Sequence, residues 1–271
     1  MELSIIITGY KNPALLKLCI DYIKKCFSYE KERYEIIVTY SETDESTDIL
    51  MREDYPEIKF FPFSENVGFQ ALVKKGLSES SGDYIVIFNH DIIVQQNSIE
   101  KLLEFLKKNP EVGLVGPKLL SFNEELQYSC FRFYSPLTII YRRTFLGKIW
   151  FAKKHLDRFL MKDYDHKNTR EVDWLMGSAM LTSRKAMEKV GPMDERFQMY
   201  MEDTDWCRRF WENNYKVIYF PEAEMYHYHG RGSAGKGIIR LIVFNKLTRI
   251  HIVSAFKYFL KYLGKPLPKH N

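Results

Sequence analysis

The sequence predicts an α/β fold, a mostly parallel sheet wrapped by helices, and three observations predict it. Short β-branched runs alternate with longer segments whose apolar residues recur at helical spacing. Gly, Pro, Asn and Asp punctuate the boundaries. The order β-α-β-α favours parallel strands joined by helical crossovers, and 271 residues suffice to bury a sizeable core around them.

Leu3 to Thr8 reads as the first strand, left through Gly9-Tyr10-Lys11. Asn12-Pro13 then opens a helix, Asn as N-cap and Pro in the first turn, with Leu15, Leu16, Cys19, Ile20 and Ile23 on one face. Tyr34 to Tyr40 is a second strand, followed by an acidic turn from Ser41 to Ser46, and Ile58 to Pro62 is a third. Val67 to Ser78 reads as a helix, and Tyr84 to Phe88 is the strand that ends at Asn89-His90-Asp91. Ser98 to Lys108 is helical and Val112 to Val115 extended. Between Arg132 and Arg170 aromatic and basic residues interleave, which fits a pair of amphipathic helices or a lid. Val172 to Thr182 is strand-like around Gly177, Ser183 caps a helix to Val190, and Gly191-Pro192 stops it. Val217 to Phe220 is a late strand leading to His227-Tyr228-His229.

The net charge of +5 conceals an asymmetry. Residues 132–170 carry +7 and residues 225–271 carry +9, which leaves −11 for the rest. Such polarity points to an anionic partner surface, phospholipid or nucleic acid. The tail, 236–271, mixes apolar and basic residues without an acid, a pattern for helices lying in a membrane interface or for a helix packed on the core with a basic edge. No span of eighteen apolar residues is present, and no signal peptide is read at Leu3 to Ile7, which Glu2 precedes. Cys19, Cys26, Cys130 and Cys207 form no CxxC pair, and all four are read as reduced thiols of a cytoplasmic protein.

Asp91 falls at the carboxyl end of a strand, where open α/β sheets place their ligands. A carboxylate there can hold Mg²⁺ or Mn²⁺ that bridges nucleotide phosphates, or the motif can be a plain turn before the helix near Asn97. Glu202, Asp203 and Asp205 put three carboxylates in four residues, a repulsion that a cation, substrate hydroxyls or solvent at a helix N-terminus can relieve. Asp205 is also suited to capping the helix that carries Trp206. His227 and His229 would share one strand face. Asn66-Val67-Gly68-Phe69 before a helix can contact an anion or a ribose, or simply start the helix.

The order of these motifs resembles the family 2 inverting glycosyltransferases of GT-A fold, particularly the rhamnosyltransferase-like bacterial branch, from about Leu3 to Gly230. Asn-x-Asp is similar to that family's DxD metal motif, Val112 to Leu119 with Gln127-Tyr128-Ser129 to its next stretch, Asp173-Trp174 through Gly177-Ser178-Ala179 to its acceptor-side loop, and Gly191 to Phe197 to its turn before the acids. The resemblance implies a GT-A-type Rossmann-like mixed sheet over 1–235, with a nucleotide-binding half (1–118), an acceptor half (119–235) and the insertion 132–170. It implies Asp91, Asn89 and His227 as holders of Mg²⁺ or Mn²⁺, and Asp203 as the base with Glu202 beside it. Tyr10, Glu42, Asp44, Asn66, Gly68, Lys74 and His90 would face a dTDP- or UDP-linked sugar; Gln127, Trp174, Gly177, Asp205 and His229 would face a lipid-linked or glycan acceptor. The implied activity is transfer of a sugar, rhamnose among the candidates, in cell-envelope glycan synthesis on the inner face of the cell membrane. The chain departs from the family at Thr39, where Asp is usual, at Gly9, where Thr is usual, and at Lys74, where Asn is common. Competing readings are a sugar nucleotidyltransferase, which lacks its Gly-rich phosphate loop here, and a nucleic-acid binder, which leaves the acids and histidines without a task.

Overall fold

The computed structural model describes residues 1–228 and 246–268. In chain order the first half comprises β1 (Leu3–Tyr10), α1 (Pro13–Cys26), β2 (Tyr34–Ser41), α2 (Glu45–Asp54), β3 (Lys59–Phe63), α3 (Phe69–Glu79), β4 (Tyr84–Asn89), β5 (Ile92–Val94) and α4 (Ser98–Lys108). The second comprises β6 (Val112–Leu120), β7 (Leu126–Gln127), β8 (Cys130–Phe131), α5 (Pro136–Arg143), α6 (Trp150–Phe159), β9 (Arg170–Glu171), β10 (Trp174–Leu175), β11 (Ala179–Ser183), α7 (Arg184–Val190), α8 (Glu202–Glu212) and β12 (Lys216–His227). Helix α9 (Lys246–Lys261) follows.

One mixed sheet, ordered β3-β2-β1-β4-β11-β6-β12-β5, runs through both halves, and β7 and β9 pair at its margins. Strands β1 to β4 are parallel, β11 enters antiparallel between β4 and β6, and β12 returns parallel to β6. Because strand side chains alternate, the sheet divides the core into two. Ile5, Ile7, Val86 and Phe88 face α1 and α4, whereas Ile6, Ile85 and Ile87 face α3, α7, α8 and α9. Each such fully buried side chain contributes about 1.5–3 kcal/mol relative to exposure.

The structure corrects the sequence reading at α2 and decides between its alternatives for the insertion. The acidic turn is the entry to α2: Asp44 accepts hydrogen bonds from the Thr47 backbone N–H at 2.9 Å and its hydroxyl at 2.6 Å. A mostly polar helix that buries only Thr47 and Met51 carries no strong period. The insertion is two short helices rather than a free lid, because Phe133, Tyr134 and Phe159 join the second core against Trp174. The tail packs as well: Ala255, Tyr258 and Tyr262 are buried, while Val253, Phe256 and Leu260 on the other side of α9 are more than half exposed. All four cysteines are free and buried. No described helix is long and apolar enough to cross a membrane. His229 and residues 236–245 of the expected tail lie outside the described residues.

Candidate active site

Strand pairing brings Asp91 and His227 together. Residue 91 sits in the turn between β4 and β5, and β5 pairs antiparallel with the end of β12, Ile92 opposite His227. The Tyr228 N–H then donates to the Asp91 carbonyl at 2.9 Å. His227 Nε2 lies 3.4 Å from Asp91 Oδ1, while the Nδ1 side of the ring meets Gln127 Oε1 at 2.9 Å and Gln127 Nε2 donates to the His227 carbonyl. Gln127 therefore orients the imidazole rather than facing an acceptor directly. Burial pushes the Asp91 carboxyl up, but contact with His227 and the nearby His90 outweighs it and holds the carboxyl below its usual value. On the same turn, Asn89 Oδ1 accepts from the Thr8 hydroxyl at 3.1 Å and the His90 N–H donates to the Thr8 carbonyl. Burial first of all keeps His90 neutral.

The second acid arrives from the start of α8. Tyr200 and Met201 precede it with φ of 67° and 72°, a left-handed conformation that costs an ordinary residue about 1–2 kcal/mol. Buried Met201 and its carbonyl, which accepts from the Asp205 N–H at 2.8 Å, hold this kink. It aims Asp203 at the cleft, where Oδ2 accepts from the Gly177 N–H at 3.2 Å and Oδ1 from the Thr204 N–H at 2.8 Å. A Cβ at Gly177 would meet the Phe69 ring at 3.0 Å, so glycine lets three elements converge. Burial raises the Asp203 carboxyl to about 6 against those donors, well above the ~3.9 of a free aspartate. Glu202, buried beside it, is pushed well up by burial and by the Asp203 charge, and its Oε2 has no hydrogen-bond partner.

Both acids line one cavity of about 420 Å³, floored by Gly177 and Ser178 and walled by Phe131, Tyr134 and Trp174. A smaller one of about 160 Å³ adjoins it, shares Phe69, Asn89, Asp91 and Met199, and is lined by Gly9, Tyr10, Ser41, Asn66, Gly68 and His90. Two of the buried polar atoms without a hydrogen-bond partner, Ser178 Oγ and Glu202 Oε2, belong to residues of the larger cavity. Unpartnered buried polar atoms in a cleft call for a polar ligand.

The family model described as Glycosyl transferase family 2 matches residues 4–191. The chain belongs to glycosyl transferase family 2. This glycosyltransferase is 27% identical over 211 residues to the N-acetylglucosaminyl-diphospho-decaprenol L-rhamnosyltransferase of Mycobacterium tuberculosis (strain CDC 1551 / Oshkosh), covering 74% of this chain and 68% of that one. It is 26% identical over 257 residues to the rhamnosyltransferase WbbL of Escherichia coli K12, covering 89% of each. Its fold is similar to that of the mannosyltransferase PcManGT from Pyrobaculum calidifontis, solved with GDP-Man and Mn²⁺, with a TM-score of 0.61 at 16% identity over 98% of this chain and 66% of that one. GalNAc-T7, solved with UDP, GalNAc and Mn²⁺, superposes with a TM-score of 0.64 at 13% identity over 96% of this chain and 56% of that one. The fold is therefore the GT-A-type mixed α/β sheet expected, and the transferase reading displaces the nucleotidyltransferase and nucleic-acid readings.

Several residues assigned to the site of this family 2 enzyme from its sequence stand elsewhere. Asp205, two residues past Asp203 and so about 200° around the helix, is fully buried among Arg209, Lys261 and Tyr262 and lines neither cavity. It is no helix cap either, since α8 begins at Glu202. Asp44 serves as the N-cap of α2, and exposed Lys74 pairs with Glu195. Glu42 receives the Tyr10 hydroxyl at 3.3 Å and Lys11 Nζ at 2.7 Å at the mouth of the smaller cavity. β2 runs on to Ser41, so Thr39 is buried mid-strand and Ser41 occupies the tip. Gly9 stands where Thr is usual because the Tyr40 ring fills its Cβ position, 2.3 Å away. Lining residues that went unassigned are Tyr134, Arg142, Arg143, Ser178, Tyr200 and His251. Tyr134, Arg142 and Arg143 left a signal as part of the basic aromatic stretch, and Ser178 as part of the loop from Asp173 to Ala179; His251 left none.

Proposed function

We propose that the enzyme transfers a hexosyl group, rhamnosyl by its likeness to the mycobacterial and E. coli relatives, from a dTDP- or UDP-linked donor to a hydroxyl of a lipid-linked cell-envelope glycan, with inversion. One observation carries this reading: Asp91 and Asp203, more than a hundred residues apart, line a single cavity. The nucleotide goes to the smaller cavity, where Asn66 Oδ1 accepts the Gly68 N–H at 3.0 Å and presents the start of α3, a position suited to phosphate. Among the described residues no cluster of three or more His, Cys, Asp or Glu side chains could by itself hold a metal ion. Asp91, with His227 Nε2 3.4 Å from its Oδ1, and the Asn89 amide oxygen nonetheless fit Mg²⁺ or Mn²⁺, which sites of this kind complete with substrate phosphates. Bound there, the cation supplies positive charge to the departing diphosphate.

Asp203 stands on the acceptor side. The acceptor oxygen bonds to the anomeric carbon as that carbon's bond to the diphosphate breaks; the electron pair leaves with the diphosphate and the hydroxyl proton passes to Asp203. A single displacement of this kind inverts the centre. With its carboxyl near 6, Asp203 is mostly ionised at neutral pH and a stronger base than an ordinary aspartate. Exposed Phe145, Trp150, Phe256, Leu260 and Leu263 lie among Lys148, Lys153, Lys154, Lys257 and Lys265, a composition suited to peripheral attachment to an anionic leaflet.

The test is a thermal-shift panel of nucleotide diphosphate sugars with and without Mn²⁺, since a ligand of the native state raises its melting temperature. dTDP- or UDP-sugars should stabilise the wild type only with Mn²⁺ and leave Asp91→Asn unmoved. A wild type stabilised by none of them overturns the reading. Sedimentation with anionic vesicles across a salt series tests attachment, and no binding at any ionic strength counts against it.

A further inference from the structure

The far wall of the larger cavity is cationic and unneutralised. Arg142 and Arg143, in the last turn of α5, line it beside Tyr200 and His251. Arg142 Nη1 donates to the Tyr134 hydroxyl at 2.6 Å, and Arg143 contacts His251 Nδ1. Among the described residues neither guanidinium meets a carboxylate, and both line the cavity, whereas Arg209, on α8, is paired with Asp205. Burial and the two neighbouring charges push His251 down to about 3, so it stays neutral and adds only a polar ring. Two adjacent guanidiniums without a counter-ion, on the wall of a cleft, form a receptor for an anion with several oxygens.

The position of the pair selects among anions. Neither arginine lines the smaller cavity, and both share the larger one with Asp203. The helix that carries them also turns apolar side chains to solvent, Leu137 at 50% and Ile140 at 43% exposure, and Phe145 and Trp150 follow at 72% and 76%. Helix α9, which packs on α5, adds Val253, Phe256 and Leu260. A ligand anchored at the arginines can therefore leave the cavity along an apolar surface.

We propose that Arg142 and Arg143 bind the diphosphate of a polyprenyl-diphosphate acceptor, with its hydrocarbon chain running over the exposed faces of α5 and α9 and its sugar held toward Asp203. This rests on the transferase reading for the role of Asp203, but the anion site itself does not. Farnesyl diphosphate is the probe, its binding to the full chain followed by tryptophan fluorescence, since Trp174 lines the same cavity. The wild type should bind it, and Arg142→Gln/Arg143→Gln should weaken binding about tenfold or more, the loss expected for charge-assisted contacts. Arg142→Lys/Arg143→Lys should retain an intermediate affinity, and Asp91→Asn should not weaken it.

Equal binding by the wild type and the glutamine variant overturns the proposal, as does binding lost in Asp91→Asn but kept in the glutamine variant, which would put the diphosphate on the donor side. Mn²⁺-dependent stabilisation by nucleotide sugar, retained in the glutamine variant, shows that the fold and donor cavity survive. If farnesyl diphosphate binds through the arginines while no nucleotide sugar binds, the anion site stands and the transferase reading fails. If sugar transfer proceeds and the glutamine change leaves farnesyl diphosphate binding unaltered, the converse holds.

Discussion

The two walls of the cleft are built by different means. The donor-side wall is made at the tips of parallel strands, where hydrogen bonds such as His90 N–H to the Thr8 carbonyl and register pairs such as Thr8 with Asn89 fix each position through the backbone. The wall proposed for the acceptor takes side chains from α5, α8 and α9; ion pairs between residues far apart in sequence tie α8 to α9, and α5 meets α9 through Arg143 and His251. Asp205 accepts from Arg209, Lys261 and Tyr262, and Lys261 also reaches Asp194 at 2.7 Å. Rigidity on the first side comes from the sheet; on the second it comes from one buried charge network.

The largest expected effect lies at the wall that carries the proposed base, Asp203. Asp203→Asn should lower kcat by about 10²–10⁴ while Mn²⁺-dependent binding of nucleotide sugar persists, whereas Asp91→Asn should lose that binding. In the wild type kcat/KM should fall about tenfold per pH unit below about 6, because the base must be ionised and protonation of Asp203 removes it. A pH profile flat through that range would move the base to another group. Next in size is the charge network. Asp205→Ala removes the fully buried carboxylate that Arg209 and Lys261 share, leaving Lys261 to Asp194 alone, and should cost about 3 kcal/mol, read from denaturant midpoints. On the donor side, Lys74→Met removes an exposed pair with Glu195 and should cost at most about 1 kcal/mol.

The difference between the walls also explains what could be read from the sequence. The donor wall is local: β1 and β4 end in Tyr10 and Asn89, and a periodic apolar run followed by a polar tip marks such strand ends in any chain. Asp91 and Asp203 could be paired in advance through motif order. His251 could not, because its neighbours Arg143 and Tyr134 are more than a hundred residues away and nothing about a histidine on an apolar helix face says what it packs against. Helix α2 was missed for a local reason, a cap and a polar helix that look like a turn. Asp205 was misplaced for a geometric one: three acids in four residues read as one cluster, yet the helix sets the third about 200° around from Asp203.

Gly68 tests the seam between the walls. Its φ is +84°, and a Cβ there would stand 2.4 Å from the Gln198 carbonyl on the segment leading to the base. Gly68→Ala should cost about 1–2 kcal/mol from the backbone conformation, and the displaced 198–201 segment should lower kcat more than it raises the KM for donor. A variant with wild-type kcat would show that the two walls move independently.

A small effect should come from Glu202 as well, and its sign is opposite to that of the others. Burial raises its carboxyl well above the ordinary value, so the folded state holds this proton more tightly than the unfolded chain does. The contribution to stability is fully present below the unfolded value near ~4.3 and is lost as pH rises through the folded one. At neutral pH the wild type is thus penalised for a buried, crowded carboxyl, and Glu202→Gln, which keeps the shape without the charge, should gain on the order of 1 kcal/mol. Denaturant midpoints for both proteins should nearly coincide at pH about 4 and separate with the variant ahead at pH about 8. A variant that is instead less stable at high pH would mean that the Glu202 carboxylate is ionised and paired in the folded enzyme, and the repulsion assigned to the two acids at the start of α8 would have to be withdrawn.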